Sequence, residues 1–302
     1  MHKDFAESIK AFVKPAYKTI MRALPPRLNV LAGYAQAHYR LPNLANPQSF
    51  SEKIVWRKLY DRDPRLPDLV DKIRVKEIMA ERFGSDFIIP TLHVYNSIEE
   101  LDFSQPPLSQ PPYVIKVNHS SDMNIFVRAG VRLPNARAIK KKLAGFLKFD
   151  HAALAQEWAY AKVQRKIFVE PLIETPEGYL PDYRFHVFAG TAYAIETIVD
   201  IYGRNRKENM YDKEWQLLNV VHGQYPKYKK PLPRPLLLDE MIRLAETIGK
   251  DFSYVRVDLY QIGGAVKFGE LTFYPGAGHE RFNPPEWDYK FGQQWKLKRI
   301  SK

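Results

Sequence analysis

The chain has 302 residues, of which 45% are hydrophobic and 13% aromatic, so it can bury a large core in one large domain or in two to three modules. Its 46 Lys and Arg residues exceed its 34 Asp and Glu residues. The resulting formal charge of +12 favours an anionic partner such as a nucleotide, a nucleic acid, a membrane surface or an acidic glycan. The chain contains no cysteine, which excludes disulfides, thiolate metal sites and a cysteine nucleophile.

Residues 1–65 are predicted to form an N-terminal helical extension that prolines interrupt. Apolar side chains recur in it at helical spacing, with lysines between them: Phe5, Ile9, Phe12 and Val13. Such a stripe either packs on its own domain or lies on anionic lipid, so peripheral membrane contact through residues 1–45 stays open. No segment approaches the roughly 20 apolar residues of a membrane span, and the N-terminus lacks a signal peptide's order of regions. We therefore expect a cytoplasmic protein, with the inner face of the membrane as the alternative.

Two helices are predicted next. Ser49 and Glu52 are spaced as a capping box, which predicts a helix that runs from Lys53 to Tyr60. A second helix is expected from Leu69 to Gly84 and carries Lys72.

Three strands are predicted in the middle of the chain: Tyr113–Val117, Lys166–Ile173 and Asp182–Phe188. The first strand enters a polar turn, Asn118 to Asp122, and residues 203–209 are predicted to be a basic loop. The basic residues at 137–148 are predicted to be the solvated face of a helix, because a nucleic-acid-binding stripe would carry aromatics between its charges. We therefore expect no nucleic-acid partner.

The last two predicted strands carry acidic residues where strands usually place apolar ones. Val255 to Tyr260 and Phe268 to Phe273 flank Gly263-Gly264, which predicts a hairpin. Because side chains alternate between faces, both faces of this hairpin contain apolar residues and are expected to be covered. Charged side chains in such a place need partners.

The turn decides where the two carboxylates lie. A two-residue turn at Gly263-Gly264 would place Asp258 and Glu270 on opposite faces, whereas a three-residue turn or a bulge there would place them side by side. Opposite positions bring Cα atoms within roughly 4.5–5.5 Å, and oxygen-only ligands suit Mg²⁺ that holds substrate phosphates. Arg256 would then stand beside a metal and a phosphate. The alternative is a solvated hairpin with an incidental ion pair.

Short motifs follow one another along the chain in this order: Asp71-Lys72, Ile88-Ile89-Pro90, Val114-Ile115-Lys116, Val169-Glu170-Pro171-Leu172-Ile173, Pro181-Asp182, Arg256-Val257-Asp258, Glu270-Leu271-Thr272 and Pro275-Gly276. Together they resemble the ATP-grasp fold. Three segments narrow the resemblance to the TupA-like branch, which is linked to bacterial surface-polymer synthesis: Ser51 to Trp56, Tyr60 to Pro64 and Phe268 to Gly276. The resemblance runs from about Asn46 to Gly292.

The resemblance implies an α+β fold in which two subdomains with antiparallel sheets grip ATP. It divides the chain after the helical extension into an N-terminal subdomain (66–110), a lid subdomain (111–175) and a C-terminal subdomain with the metal site (176–302). It also implies an ATP-dependent carboxylate–amine ligase of polysaccharide biosynthesis, in which ATP phosphorylates a carboxylate and an amine attacks the acylphosphate. The implied substrates are an amine and a small-molecule or glycan-linked carboxylate, sugar-linked or peptidic.

Site residues follow from the resemblance position by position. Those implied to bind ATP are Lys72 and Lys116 at the phosphates, Glu170, Leu172 and Ile173 around adenine, Asp182 at the ribose, and Ser120 and Ser121 in the phosphate-covering turn. Those implied to bind Mg²⁺ are Asp258, Glu270 and Thr272, with Arg256 as the catalytic donor to developing charge. The family's covering turn usually carries glycines, so Asp122 in this chain brings an unexpected negative charge toward the phosphates.

Two other classes of function stay open. A glycosyltransferase or other glycan-modifying enzyme would need an Asp-x-Asp metal motif, and such a string is present at Asp61 to Asp63, at a helix end rather than after a strand. A non-catalytic basic module that holds an anionic polymer on the same scaffold is the third class, and Asp122 is the feature that supports it.

Overall fold

The computed structural model describes most of the chain, in these ranges: 23–130, 135–173, 180–199, 206–223, 225–228 and 230–297. The predicted apolar stripe from Phe5 to Val13 and residues 203–205 of the predicted basic loop lie outside these ranges. Helices combine with antiparallel sheets, which confirms the predicted α+β class. None of the described helices has the length and apolar character needed to cross a membrane.

The N-terminal part of the described chain is helical. Helix α1 spans Pro26–His38 and helix α2 spans Phe50–Tyr60. The predicted capping box is confirmed, because the Ser49 hydroxyl accepts from the Glu52 amide at 3.2 Å and the Glu52 carboxylate accepts from the Ser49 amide at 3.1 Å.

The predicted helix from Leu69 to Gly84 is wrong as one continuous element. The structure has two helices, α3 (Leu66–Val70) and α4 (Arg74–Phe83), followed by a 3₁₀ helix over Ser85–Phe87. The break follows from Asp71, whose carboxylate accepts from the amides of Ile73 at 2.9 Å and Arg74 at 3.3 Å and thereby begins a new helix.

The first sheet has four antiparallel strands in the order β1-β4-β2-β3. Its strands are β1 (His93–Tyr95), β2 (Tyr113–Val117), β3 (Asn124–Val127) and β4 (Ile167–Pro171). Helix α5 (Ala136–Lys148) packs Ile139 and Leu143 into the core of this sheet. Helix α6 (His151–Ala155) and a 3₁₀ helix (Trp158–Lys162) lead from α5 to β4.

The second sheet has five antiparallel strands in the order β10-β9-β5-β6-β7. Its strands are β5 (Asp182–Phe188), β6 (Thr191–Val199), β7 (Lys207–Tyr211), β9 (Val255–Ile262) and β10 (Ala265–Thr272). A two-stranded sheet joins β8 (Val221–His222) to β11 (Phe282–Asn283). The predicted basic loop is wrong for Lys207 to Asn209, which pair with Val199 to Thr197 of β6.

Each face of the five-stranded sheet packs against other elements. Helix α7 (Leu238–Gly249) packs so closely on one face that a Cβ on Gly249 would lie 2.4 Å from a methyl carbon of Val187. On the opposite face, Phe50 of α2 lies among aromatic rings, 4.9 Å from Tyr254 and 5.6 Å from Phe291 of helix α8 (Glu286–Gln294). A 3₁₀ helix over Pro275–Gly278 follows β10. The second face carries the charged side chains of the strands.

Candidate functional site

The β9–β10 hairpin brings Asp258 and Glu270 directly opposite each other. The turn has two residues, because Ile262 pairs with Ala265 across Gly263-Gly264, and this register alone would separate the two carboxylates. A bulge between Phe268 and Glu270 then shifts the pairing by one residue. The predicted bulge or longer turn at Gly263-Gly264 is therefore wrong in position, although the predicted pairing of the carboxylates is present.

Gly269 makes this bulge possible. A Cβ at this position would lie 2.9 Å from the backbone oxygen of Asp258 and 2.9 Å from the Tyr260 ring. Real Cβ atoms essentially never approach that closely, and the backbone oxygen belongs to the neighbouring strand of the ladder. Gly269 therefore permits the strand contact that sets Asp258 beside Glu270.

Arg256 occupies the space between the three predicted metal ligands. Its Nη2 atom lies 2.6 Å from Oδ2 of Asp258, 3.0 Å from Oγ1 of Thr272 and 3.4 Å from Oε1 of Glu270. Its Nε donates to the other oxygen of Asp258 at 2.8 Å. Three oxygen donors from two strands thus converge on one cationic nitrogen. This donor set fits a hard divalent cation such as Mg²⁺.

Two positive side chains, Arg256 and Lys72, pair with the two carboxyl groups of this cluster. Burial would raise the pKa of Glu270, but Lys72 and Arg256 outweigh it and hold the pKa at about 2. Lys72 contributes through a 2.8 Å ion pair between its Nζ and Oε2 of Glu270. Asp258 is 2% exposed, and burial raises its pKa to about 7, although the two-point contact with Arg256 stabilises the charged form.

Lys72 also connects the hairpin to the polar turn that follows β2. Its backbone amide donates to the carbonyl of Asn118 at 3.1 Å, and the Asn118 side chain donates to the Asp71 carboxylate at 2.9 Å. The break between α3 and α4 therefore lies against both sheets. The predicted phosphate ligand Lys72 is positioned by these backbone contacts rather than by a regular helix.

The second predicted phosphate ligand, Lys116, lies on the four-stranded sheet next to Glu170. Its Nζ is 2.5 Å from Oε2 of Glu170, and Nζ of Lys76 on α4 binds the other carboxylate oxygen. Burial would raise the pKa of Glu170, but Lys116 and Lys76 hold it below its usual value. The residue predicted to lie beside adenine thus pairs with two lysines.

The remaining predicted ATP ligands lie at strand ends. Asp182 begins β5, where Oδ2 accepts from Nε of Arg184 at 2.7 Å. Its Oδ1 is buried and has no hydrogen-bond partner among the described residues. Leu172 is buried just after β4, and its amide lies 3.4 Å from the carbonyl of Pro112. Ile173 follows it and is half-buried.

The polar turn after β2 places its side chains in different environments. Ser120 is buried and Ser121 is exposed. Asp122 adopts a left-handed backbone with φ of 57° and lies 3.4 Å from Nη1 of Arg206, so part of its charge is compensated. His119 is buried, and neither ring nitrogen has a hydrogen-bond partner in the described chain.

Two charged residues of this region were not predicted. Lys76 lies four residues after Lys72. Side chains at that spacing share one face of a helix, so the sequence could have predicted that the two lysines lie on the same side. Arg184 shares its strand face with Asp182, and it reaches Glu196 at 3.1 Å and Asp258 at 3.8 Å. Their ion pairs join distant parts of the chain, so spacing alone could not reveal them.

A separate cavity of about 330 Å³ lies between α2 and the residues around α6. Lys58, Arg62 and Trp158 are among the residues that line it. None of the predicted site residues does so. The candidate site is therefore the carboxylate cluster rather than this cavity.

A family model described as TupA-like ATPgrasp matches residues 52–296, which confirms the predicted resemblance and fold. No curated protein matches the chain.

Among solved structures, the chain is similar to the D-alanine–D-alanine ligase from Bacillus anthracis complexed with ATP, at 16% identity and a TM-score of 0.39, over 68% of this chain and 55% of that one. It is similar to the ATP-grasp ligase PsnB complexed with a minimal precursor, at 14% identity and a TM-score of 0.39, over 74% and 60%. A third is N5-carboxyaminoimidazole synthase from Aspergillus clavatus, at 12% identity and a TM-score of 0.38, over 70% and 46%. The matched region covers less than two thirds of each of these chains.

Proposed function

Because the chain belongs to the TupA-like ATP-grasp family, we propose that it is an ATP-dependent carboxylate–amine ligase. A carboxylate oxygen of the first substrate attacks the γ-phosphorus, the bond to the leaving oxygen breaks, and ADP departs. The amine nitrogen then attacks the acyl carbon, phosphate leaves, and the amine proton is lost as the amide forms. No protein nucleophile takes part in this sequence.

The single observation that carries the proposal is the convergence of Asp258, Glu270 and Thr272 on Nη2 of Arg256. Three oxygen donors on adjacent strands suit Mg²⁺, which would neutralise the β- and γ-phosphates when bound. Arg256 is the donor to charge that develops on the acylphosphate, a contribution of about 3–4 kcal/mol for a preorganised group.

The lysines provide the positive charge for the phosphates. Lys72 and Lys116 are proposed to bind them, and both now neutralise buried or half-buried carboxylates, Glu270 and Glu170. An incoming polyphosphate would share these cations with the carboxylates. Ser120 and Ser121 would cover the phosphates from the turn after β2.

The nucleoside end of ATP is assigned to the strand ends. We propose that Glu170, Leu172 and Ile173 contact adenine and that Asp182 binds the ribose. The buried, unpartnered Oδ1 of Asp182 supports this assignment, because a ribose hydroxyl would provide the missing donor.

The substrates are proposed from the family resemblance. The first is a sugar-linked or peptidic carboxylate and the second is an amine, joined during synthesis of a bacterial surface polysaccharide. The proposed location is the cytoplasm, at the inner face of the membrane, and residues 1–45 are the proposed point of contact. The glycan-modifying alternative is less well supported, because Asp61 is the C-cap of α2, so the Asp-x-Asp string lies at a helix end rather than after a strand.

Calorimetric titration with Mg²⁺-ATP tests this function. We expect the wild-type protein to bind, E270Q to lose binding, and E77Q, a control on the exposed Arg74–Glu77 pair, to bind as the wild type does. Micromolar or tighter ATP binding that E270Q leaves unchanged would contradict the metal assignment. Failure of the wild-type protein to bind ATP would contradict the ligase and favour the non-catalytic basic module.

A further inference from the structure

A second group of metal-ligating side chains lies on the same sheet face, beyond Arg184. His186 of β5, Glu196 of β6 and His222 of β8 are all buried, and one ligand atom from each lies within 4.8 Å of the others. These residues come from three strands, and His222 is distant in the sequence from the other two. Within the described chain, they form a compact cluster of two imidazoles and a carboxylate.

The distances in this group suit one shared ion better than direct hydrogen bonds. Nε2 of His186 lies 3.4 Å from Oε2 of Glu196, and Nδ1 of His222 lies 4.0 Å from the same oxygen. Both distances exceed those of a good hydrogen bond between these groups. A tetrahedral ion with ligand bonds of about 2.0–2.2 Å holds its donors about 3.3–3.6 Å apart. The His186–Glu196 distance fits this range, and His222 would move inward by roughly half an ångström to reach it.

Surrounding groups orient the ligands toward one point. The Tyr254 hydroxyl lies 3.0 Å from Nδ1 of His186, which leaves Nε2 facing Glu196. Nη1 of Arg184 holds Oε1 of Glu196 at 3.1 Å, which leaves Oε2 facing the two imidazoles. The His222 ring stacks on Phe282 at 4.2 Å. Such outer contacts fix ring direction in known metal sites.

An unpartnered carboxylate beside the group points independently to a missing ligand. Glu208 on β7 is 2% exposed, and one of its oxygens accepts from the His222 amide at 2.5 Å. Its other oxygen, Oε2, is buried and has no hydrogen-bond partner among the described residues. A buried carboxyl oxygen without a hydrogen-bond partner is costly unless a ligand provides one.

We propose that His186, Glu196 and His222 bind one Zn²⁺ ion beside the unpartnered oxygen of Glu208. Imidazole nitrogens favour Zn²⁺ over Mg²⁺, so this site differs in chemistry from the oxygen donors around Arg256. The three residues lie on β5, β6 and β8, so the ion ties the two-stranded sheet to the five-stranded sheet. Its existence does not depend on the ligase function.

Zn²⁺ titration of the full chain, produced without a histidine tag and dialysed against chelator, tests the site. With excess Mg²⁺ present to occupy the oxygen site, we expect one Zn²⁺ per chain and a higher melting temperature. H222F keeps a ring on Phe282 but removes a ligand, and we expect it to bind Zn²⁺ at least about 100-fold more weakly. H119F, the same change at a buried histidine of the other sheet, and E270Q should both bind as the wild type does.

Two results would overturn the proposal. One is that the wild-type chain fails to bind one Zn²⁺ ion per chain. This result does not depend on whether any variant folds. The other is Zn²⁺ binding that E270Q removes and H222F leaves intact, which would assign the ion to the oxygen site. Co²⁺ in place of Zn²⁺ gives a further check on the wild-type chain: intense visible absorption is expected from tetrahedral ligation that includes two imidazoles and a carboxylate, and its absence would contradict the ligand set.

Discussion

Nη2 of Arg256 lies 2.6 Å from Oδ2 of Asp258, and the same nitrogen contacts the two other predicted Mg²⁺ ligands. A guanidinium thus supplies the positive charge that a metal would bring to these oxygens. Removal of this charge leaves Asp258 buried without its main partner, and the loss of one member of a buried ion pair typically costs about 3–5 kcal/mol. Arg256 and Mg²⁺ are therefore expected to substitute for each other in part.

R256Q tests this relationship. We expect a large loss of stability without metal, and a rise in melting temperature on addition of Mg²⁺ that exceeds the wild-type rise by at least about 2 °C, since about 1 kcal/mol corresponds to 2–4 °C in a chain of this size. Thermal unfolding with and without Mg²⁺ measures both effects. R74Q, on an exposed pair, should change stability by no more than about 0.5 kcal/mol and show the wild-type Mg²⁺ response. Equal Mg²⁺ responses in R256Q and wild type would show that the guanidinium does not occupy a cation site.

The pKa of Glu270 predicts how stability depends on pH. Its folded pKa of about 2 lies below the ordinary value of 4.5, because Lys72 and Arg256 outweigh burial. The stabilisation from this carboxylate is therefore fully present above about pH 4.5 and is lost as the pH falls toward 2. Urea unfolding between pH 6 and 3 should show a flatter profile for E270Q than for the wild type, whereas E77Q should keep the wild-type slope. A wild-type slope in E270Q would contradict the assigned ion pairs.

The order of motifs along the chain was enough to predict the fold, because each motif lies on a short local element. The details of the site depended on longer-range contacts. The bulge at Gly269 had a local signal, an isolated glycine inside a strand pattern, whereas the alternation of side chains predicts only that an irregularity is needed and does not place it at Gly269 rather than at Gly263-Gly264. The pairing of Lys76 with Glu170, 94 residues away, had no local signal. It depends on the tertiary contact between α4 and β4.

Two glycines allow a matched test of the bulge. G269A should destabilise the protein by about 1–3 kcal/mol, because its Cβ would meet the Asp258 backbone oxygen at 2.9 Å and neither strand can yield freely. G145A adds the same methyl group inside α5, where nothing lies within 4 Å, and should stabilise by about 0.5–1 kcal/mol. Urea unfolding measures both variants. Of the two variants, only G269A should weaken Mg²⁺-ATP binding. An unchanged unfolding midpoint in G269A would mean that the bulge does not need glycine.

Asp122 lies in the turn assigned to the ATP phosphates, and its side chain is 73% exposed. D122N removes the negative charge and keeps a residue that tolerates the left-handed backbone at φ 57°. The loss of its exposed contact with Arg206 should cost little stability. One charge removed at a distance of several ångströms in a wet site is worth about 0.5–1 kcal/mol, so we expect ATP to bind about 2- to 5-fold more tightly.

Calorimetry at two salt concentrations checks this effect, which should shrink as the salt concentration rises. D239N is the matched control, since Asp239 is exposed at the start of α7 and pairs with Arg234 at 2.6 Å. It changes the net charge of the chain by the same amount at a site outside the turn. An equal gain in ATP affinity in D239N would mean that net charge, rather than the position of Asp122 in the turn, controls binding. Weaker binding in D122N would mean that the Asp122–Arg206 pair holds the turn in its ATP-binding position.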